Sequence, residues 1–241
     1  MRLLVVGAGE MGRWLAESLA SRFEVAVLDA DPDVADAAAA AVGARVADET
    51  ETFDAVAFAV PMTAVEEAVA THAHRAERAL LDVTGEMQTA LAAMRDHGPG
   101  LERLSTHPLF AAANAPGNVA VVRDATGPVT DVVVDALDAA GNHPFETTAE
   151  EHDRAKETVQ AKAHAAVLAY ALAADDVREE FHTPLSGPLE ELVDQLVGNT
   201  PRVYTEIQGA FDGAEAVAEA ARRIADADAE AFADLYEEAS R

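Results

Sequence analysis

His107 stands in the stretch Ser105-Thr106-His107-Pro108-Leu109-Phe110. An imidazole titrates near working pH, so a histidine at a strand end can take a proton from a reacting group. Pro108 restricts the backbone beside it and ends the strand there. A second pattern opens the chain: Gly7-Ala8-Gly9-Glu10-Met11-Gly12. Gly7 permits a tight turn, Gly9 lets the backbone approach a pyrophosphate, and Gly12 allows close helix–strand packing. The amides that begin the next helix, at Glu10 and Met11, then face phosphate with the helix dipole behind them. Asp29 ends the second strand roughly twenty residues on, as a dinucleotide fingerprint requires. Its carboxylate suits a ribose 2′-hydroxyl and repels a 2′-phosphate, and Ala30, Asp31 and Pro32 bring no positive charge. The reading is NAD rather than NADP. A hydride acceptor beside a proton acceptor points to oxidation.

The elements that hold these residues follow from apolar patterning. Leu3–Val6 is a β-type run and Glu10–Ser21 has helical spacing. Glu24–Asp29 reads as a strand, Asp33–Val42 as an alanine-rich helix and Ala44–Ala47 as a weak strand. Asp54–Val60 is a strong strand stopped by Pro61, and Val60 and Pro61 at its end count with the cofactor residues. Thr63–Arg78 reads as helix, Ala79–Val83 as strand, Gln88–His97 as helix and Leu101–Thr106 as strand. Asn118–Arg123, Val129–Ala140 and His143–Thr147 add strand, helix and strand. The alternation predicts a doubly wound parallel sheet of Rossmann type, covered on both faces. After Thr148 the β-pattern stops. Glu150–Ala174, Leu189–Val197, Arg202–Phe211 and Ala214–Glu238 read as helices, with breaks at Pro184–Gly187 and at Gly198-Asn199-Thr200-Pro201. The expected organisation is α/β: a dinucleotide-binding domain over 1–148 and an all-helical domain over 149–241.

Composition bounds the rest. Half of the 241 residues are hydrophobic, enough for a globular core. There is no cysteine, which removes disulfides and thiolate metal sites, and no metal site is expected. The run Leu3–Val6 is too short for a secretion signal, and no stretch is long enough to cross a bilayer. A cytoplasmic location is expected. Acidic residues number 44 against 17 basic ones, for a net charge of −27, and only Lys156 and Lys162 are lysines. This balance points to adaptation to a very salty cytoplasm, haloarchaeal in character. At 1 M salt the Debye length is about 3 Å, so repulsion is screened there and felt in dilute buffer. Nucleic acid and anionic membranes are disfavoured as partners.

Several stretches together resemble the prephenate dehydrogenase family, which includes arogenate dehydrogenases. Ser105–Phe110 is similar to the family's His-Pro-Met-Phe signature. Glu151-His152-Asp153-Arg154, then Gln160-Ala161, His164 and Ala169-Tyr170, resemble its Glu-His-Asp opening to a long helix. Asp82-Val83-Thr84 resembles a strand end of the family. The resemblance implies NAD-dependent oxidative decarboxylation of prephenate, or of its amino analogue arogenate, to an aromatic product in tyrosine biosynthesis. It assigns His107 the proton of the ring hydroxyl and puts His164 near the substrate. It also implies a homodimer that interlocks through the helices. His152 and Thr84 are grouped with the substrate-binding residues, although His152-Asp153 at a helix start also reads as architectural. Arg154 could offset substrate charge, a surface ion pair being its commoner fate. In a uniform helix His152 and His164 would lie about 120° apart and do different jobs.

The chain departs from the family at two places. Gly85-Glu86-Met87 replaces Ser-Val-Lys, removing a hydroxyl that steadies histidine and nicotinamide; Thr84 or Ser105 could substitute. Asn199 stands where an arginine would grip a substrate carboxylate, so Arg202 is the nearest replacement. Two other readings compete. A β-hydroxyacid or imine dehydrogenase would use Lys156 or Lys162, and truncating either should then matter to turnover. A non-enzymatic NAD-binding regulator would bind the cofactor without turnover.

Overall fold

The computed structural model describes residues 1–198 and 201–240. The chain divides into two compact units, Met1–Asp153 and Arg154–Arg241.

The first unit is an eight-stranded sheet: β1 (Arg2–Val6), β2 (Glu24–Leu28), β3 (Arg45–Val46), β4 (Phe53–Phe58), β5 (Ala76–Asp82), β6 (Glu102–Pro108), β7 (Asn118–Ala125) and β8 (His143–Glu146). Their spatial order is β3-β2-β1-β4-β5-β6-β7-β8. Every pairing is parallel except β6 with β7. The sheet is thus doubly wound and mostly parallel, as expected, with one antiparallel pair. The segment between Pro108 and Asn118 has no crossover helix, and a link without one returns antiparallel.

Strand alternation sends Leu3 and Val5 to one face and Leu4 and Val6 to the other. On the first face they meet α1 (Glu10–Leu19), α2 (Pro32–Val42) and α5 (Pro128–Ala139) through Leu15, Leu19, Ala38, Val133 and Leu137. On the second they meet α3 (Val65–His72) and α4 (Met87–His97) through Val65, Val69, Leu91 and Met94. Each of these Leu, Val and Met side chains contributes about 1.5–3 kcal/mol by leaving water. The helix expected over Thr63–Arg78 is shorter. A 3₁₀ turn over Ala73–Arg75 ends it and β5 starts at Ala76. Arg75 decides this: its buried guanidinium donates to the carbonyls of Glu51 and Asp48 and lies over the Phe53 ring.

Thr148 opens α6 (Ala149–Lys156) by accepting the Glu151 N–H on its hydroxyl, and the division between the units falls inside this helix. In the second unit the chain stays helical through a π-wound stretch, Glu157–Lys162, into α7 (Ala163–Ala173). The uniform helix assumed for the spacing of His152 and His164 is therefore not what forms. Among the described residues the unit continues with α8 (Ser186–Val197), α9 (Pro201–Ala210), α10 (Gly213–Asp226) and α11 (Ala229–Ala239). A Cβ at Gly213 would fall 2.5 Å from Ala161, so the start of α10 seats directly on the π turn. The single helix expected over Ala214–Glu238 is broken, because Asp228 caps α11 by accepting from the amides of Glu230 and Ala231. Large apolar side chains stay exposed in this unit, among them Leu172 (88%), Leu185 (77%) and Tyr236 (73%). Among the described residues no helix is long and apolar enough to cross a membrane.

Candidate active site

The carboxyl ends of the parallel strands form one edge of the sheet. Register places Val6 beside Leu28 and Phe58, Phe58 beside Asp82, and Asp82 beside Ser105. The residues that follow these ends are Gly7, Asp29, Val60 with Pro61, Thr84 and His107. The edge therefore gathers most of the residues read from the sequence.

The glycine turn is built as its pattern requires. Gly7 has φ +93°, and a Cβ there would lie 2.4 Å from the Ala59 carbonyl oxygen and 3.1 Å from Val60 Cγ1. A Cβ at Gly12 would sit 1.9 Å from the Gly7 oxygen, so helix and turn touch backbone to backbone. At Gly9 the same test meets no atom within 4 Å. The protein leaves room there for another molecule to approach. No side chain caps α1, so the first amides, at Glu10 and Met11, are offered to an anion. Asp29 accepts the Ala8 N–H at 2.8 Å and the Asp31 N–H at 3.0 Å. It ties the glycine turn to the end of β2, and each carboxylate oxygen keeps a second lone pair. Pro61 opens a 3₁₀ turn, its carbonyl accepting the Ala64 N–H. This set fits a dinucleotide: a cradle cleared of side chains, uncapped amides and a carboxylate at ribose position.

Asp82 is fully buried at the end of β5. Burial pushes its carboxyl from 3.8 up to about 6; hydrogen bonds from Ser105 and Thr84 pull the other way. Ser105 Oγ donates to it at 2.6 Å and the Thr84 N–H at 2.8 Å. The Thr84 hydroxyl donates to the Glu86 carbonyl at 3.3 Å. The two hydroxyls considered as stand-ins for the family serine are thus engaged by Asp82 and its turn. An unfolded chain loses this proton near pH 3.8 and the folded chain only near 6. Stability attributable to Asp82 therefore falls as pH rises between those values, by on the order of 3 kcal/mol, and stays lower above. Asp82→Asn should gain stability relative to wild type over that interval, a difference read from paired urea melts across pH. A constant difference would show that Asp82 does not titrate there.

His107, at the end of β6, is half-buried. Its Nδ1 lies 2.8 Å from His152 Nε2, with the rings edge to face at 5.0 Å. His152 Nδ1 lies 2.7 Å from Asp153 Oδ1. Asp153 in turn accepts the Met87 N–H at 3.1 Å and the Gln88 N–H at 3.2 Å, capping α4 from a distant part of the chain. Burial works to raise the Asp153 carboxyl, but the hydrogen bonds from His152, Met87 and Gln88 hold it below the ordinary value. Both ring nitrogens of His152, a residue grouped with the substrate ligands, face protein groups. The sequence pattern did not reveal that His152 and Asp153 stand behind His107. The adjacency of His152 to an aspartate was the only available cue.

In the second unit, His164 is half-buried, edge-on to Tyr204 at 4.8 Å. Burial, then the charge of Lys156, lowers its pKa, which keeps the ring neutral. Lys156 is buried, 5.8 Å from the Phe211 ring centroid. Its truncation should therefore lower stability, so only turnover of the folded variant bears on a lysine mechanism. His164 Nδ1, Gln160 Oε1 and Gln208 Oε1 are buried without hydrogen-bond partners among the described residues. Such orphans beside a π turn mark ligand-binding places in many helices. Arg154 is exposed, and Arg202 is exposed with its Nε 3.7 Å from Glu206. Asn199 lies outside the described residues, as does part of the turn expected at 198–201.

Fold and edge together define a Rossmann-type dinucleotide-binding protein carrying a histidine at the cofactor edge of its sheet. No protein-family model matches the chain. The 4-amino-4-deoxyprephenate dehydrogenase of Streptomyces pristinaespiralis is 31% identical over 206 residues, 77% of this chain and 69% of that one. The chain belongs to the prephenate/arogenate dehydrogenase family. Solved structures of similar fold include prephenate dehydrogenase from A. aeolicus in complex with hydroxyphenyl propionate and NAD+, with a TM-score of 0.72 and 15% identity, covering 100% of this chain and 96% of that one. Synechocystis arogenate dehydrogenase has a TM-score of 0.64 and 14% identity, covering 100% and 98%.

Proposed function

We propose that this protein catalyses the NAD-dependent oxidative decarboxylation of prephenate, with His107 as the base. Bound NAD would supply the hydride acceptor, held by Gly7, Gly9, Glu10, Met11, Gly12, Asp29, Val60 and Pro61. The carbon bearing the ring hydroxyl would give up its hydride to that acceptor as the hydroxyl proton passes to His107 Nε2. The bond to the ring carboxylate breaks, its electron pair enters the ring, carbon dioxide leaves, and aromaticity makes the step irreversible. One observation carries this reading: His107 lies on the same strand-end edge as the glycine turn, where doubly wound sheets bind their ligands. The family membership supports the reaction class.

The helical part, residues 149–241, is proposed as the substrate and dimerisation domain. His164 would meet the substrate, with Arg154 and Arg202 offsetting its carboxylates in a strongly acidic chain. Exposed Leu172, Leu185 and Tyr236 support a homodimer covering these helices. The acid excess supports work in a salty cytoplasm. A lone pair on imidazole accepts from O–H and N–H alike, so 4-amino-4-deoxyprephenate, the substrate in the relative's name, is the second reading.

The test is NADH formation with prephenate, arogenate and 4-amino-4-deoxyprephenate, each with NAD and NADP, in molar and in millimolar KCl. Prephenate with NAD in molar KCl should give the highest kcat/KM, and activity and Tm should both fall in dilute buffer. Turnover confined to the amino substrate would replace prephenate with the second reading. NADH binding without turnover on any of the three would leave a regulator.

A further inference from the structure

We propose that His152 and Asp153 are positioning residues that hold His107 in its reactive tautomer and share the proton it takes up. The inference rests on the reading of His107 as base and names what makes it one. Asp153 accepts two amide protons at the start of α4, where the helix dipole also favours negative charge. An ionised carboxylate only accepts, so the hydrogen in the 2.7 Å contact belongs to His152 Nδ1. Neutral His152 then presents a lone pair at Nε2. The hydrogen in the 2.8 Å contact therefore belongs to His107 Nδ1, and the lone pair of His107 is at Nε2. With one hydrogen on each imidazole, each assignment fixes the next, from a helix end to the reacting nitrogen.

The same line handles the proton. When His107 Nε2 binds the hydroxyl proton, the Nδ1–H becomes a stronger donor to His152. The positive charge is spread over two rings toward a fixed carboxylate. His152 and Asp153 are buried, which strengthens these bonds relative to water. The arrangement also accounts for the absence of the serine expected near Gly85. His107 is steadied through its Nδ1 by His152, while Ser105 and Thr84 serve Asp82.

Asp153→Asn tests the order of tautomers. Oδ1 takes both the Met87 N–H and His152, so an amide either gives up the Met87 bond to turn its N–H₂ toward His152 Nδ1 and reverse both rings, or keeps its oxygen there as a weaker, uncharged acceptor. The same logic governs carboxylate–histidine pairs in hydrolases. Nitrogen-15 NMR of the imidazoles should show Nδ1–H at His107 in the wild type; Nε2–H there would overturn the assignment. The variant should lose at least about 100-fold in kcat, with KM for prephenate and Kd for NADH within about threefold of wild type. His152→Gln keeps an acceptor for His107 Nδ1–H and should retain more kcat than His152→Leu, both judged on protein with a cooperative melt. Unchanged kcat in Asp153→Asn, or equal kcat in the two His152 variants, would overturn the relay while leaving His107 as base. Normal turnover by His107→Asn would instead remove the reading beneath it.

Discussion

His107→Asn is expected to lose about 10²–10⁴-fold in kcat in molar KCl, the usual contribution of a placed acid or base. NADH affinity should stay near that of the wild type, because the glycine turn, Asp29 and Val60 belong to other strand ends. The half-buried ring contributes little to the core, so the melt should change by a few degrees at most. The asparagine amide can still hydrogen-bond His152, which keeps the surroundings in place. It has no nitrogen lone pair that binds a proton near neutral pH. Near-normal kcat with prephenate would mean that the hydroxyl proton leaves by another route.

The second large effect separates two glycines that the sequence presents as one motif. In Gly9→Ala the new methyl meets no protein atom within 4 Å, so stability should hold within about 1 kcal/mol. The methyl would stand where a pyrophosphate must approach, and NADH affinity should fall at least about tenfold. In Gly12→Ala the methyl would lie 1.9 Å from the Gly7 carbonyl oxygen, which is backbone and cannot swing aside. That variant should lose several kcal/mol in urea melts, beyond ordinary overpacking of about 1–3 kcal/mol, together with cofactor binding. Equal melts for the two variants would contradict the packing described for α1 against the turn.

Much of the sheet was readable because its cause is local. Leu3–Val6, Asp54–Val60 and Ala79–Val83 are apolar runs buried on both faces, and such runs pair as central strands in almost any context. Gly7 and Gly12 were readable because the backbone there leaves no room for a side chain, and Gly9 because the motif sets its spacing. The misread boundaries had distant causes. β5 starts early because Arg75 reaches carbonyls of the Asp48–Glu51 loop. β7 runs backward because the link from β6 carries no crossover helix. The π turn at Glu157–Lys162 lies where Gly213 of α10 presses on Ala161. None of these contacts leaves a periodic trace in the chain.

The sequence alone determined the sheet class, the glycine turn, the strand-end place of His107 and the family to which its motifs point. These depend on residue type at short spacing, where backbone sterics and side-chain alternation act within a few residues. Only the tertiary structure brings together the line of contacts on which the proposed tautomer of His107 rests. Asp153 reaches Met87 and Gln88 and His152 reaches His107, contacts that span 45 to 66 positions along the chain. Hydrogen-bond direction is set by whichever partner folding brings close, and local pattern holds no record of that partner.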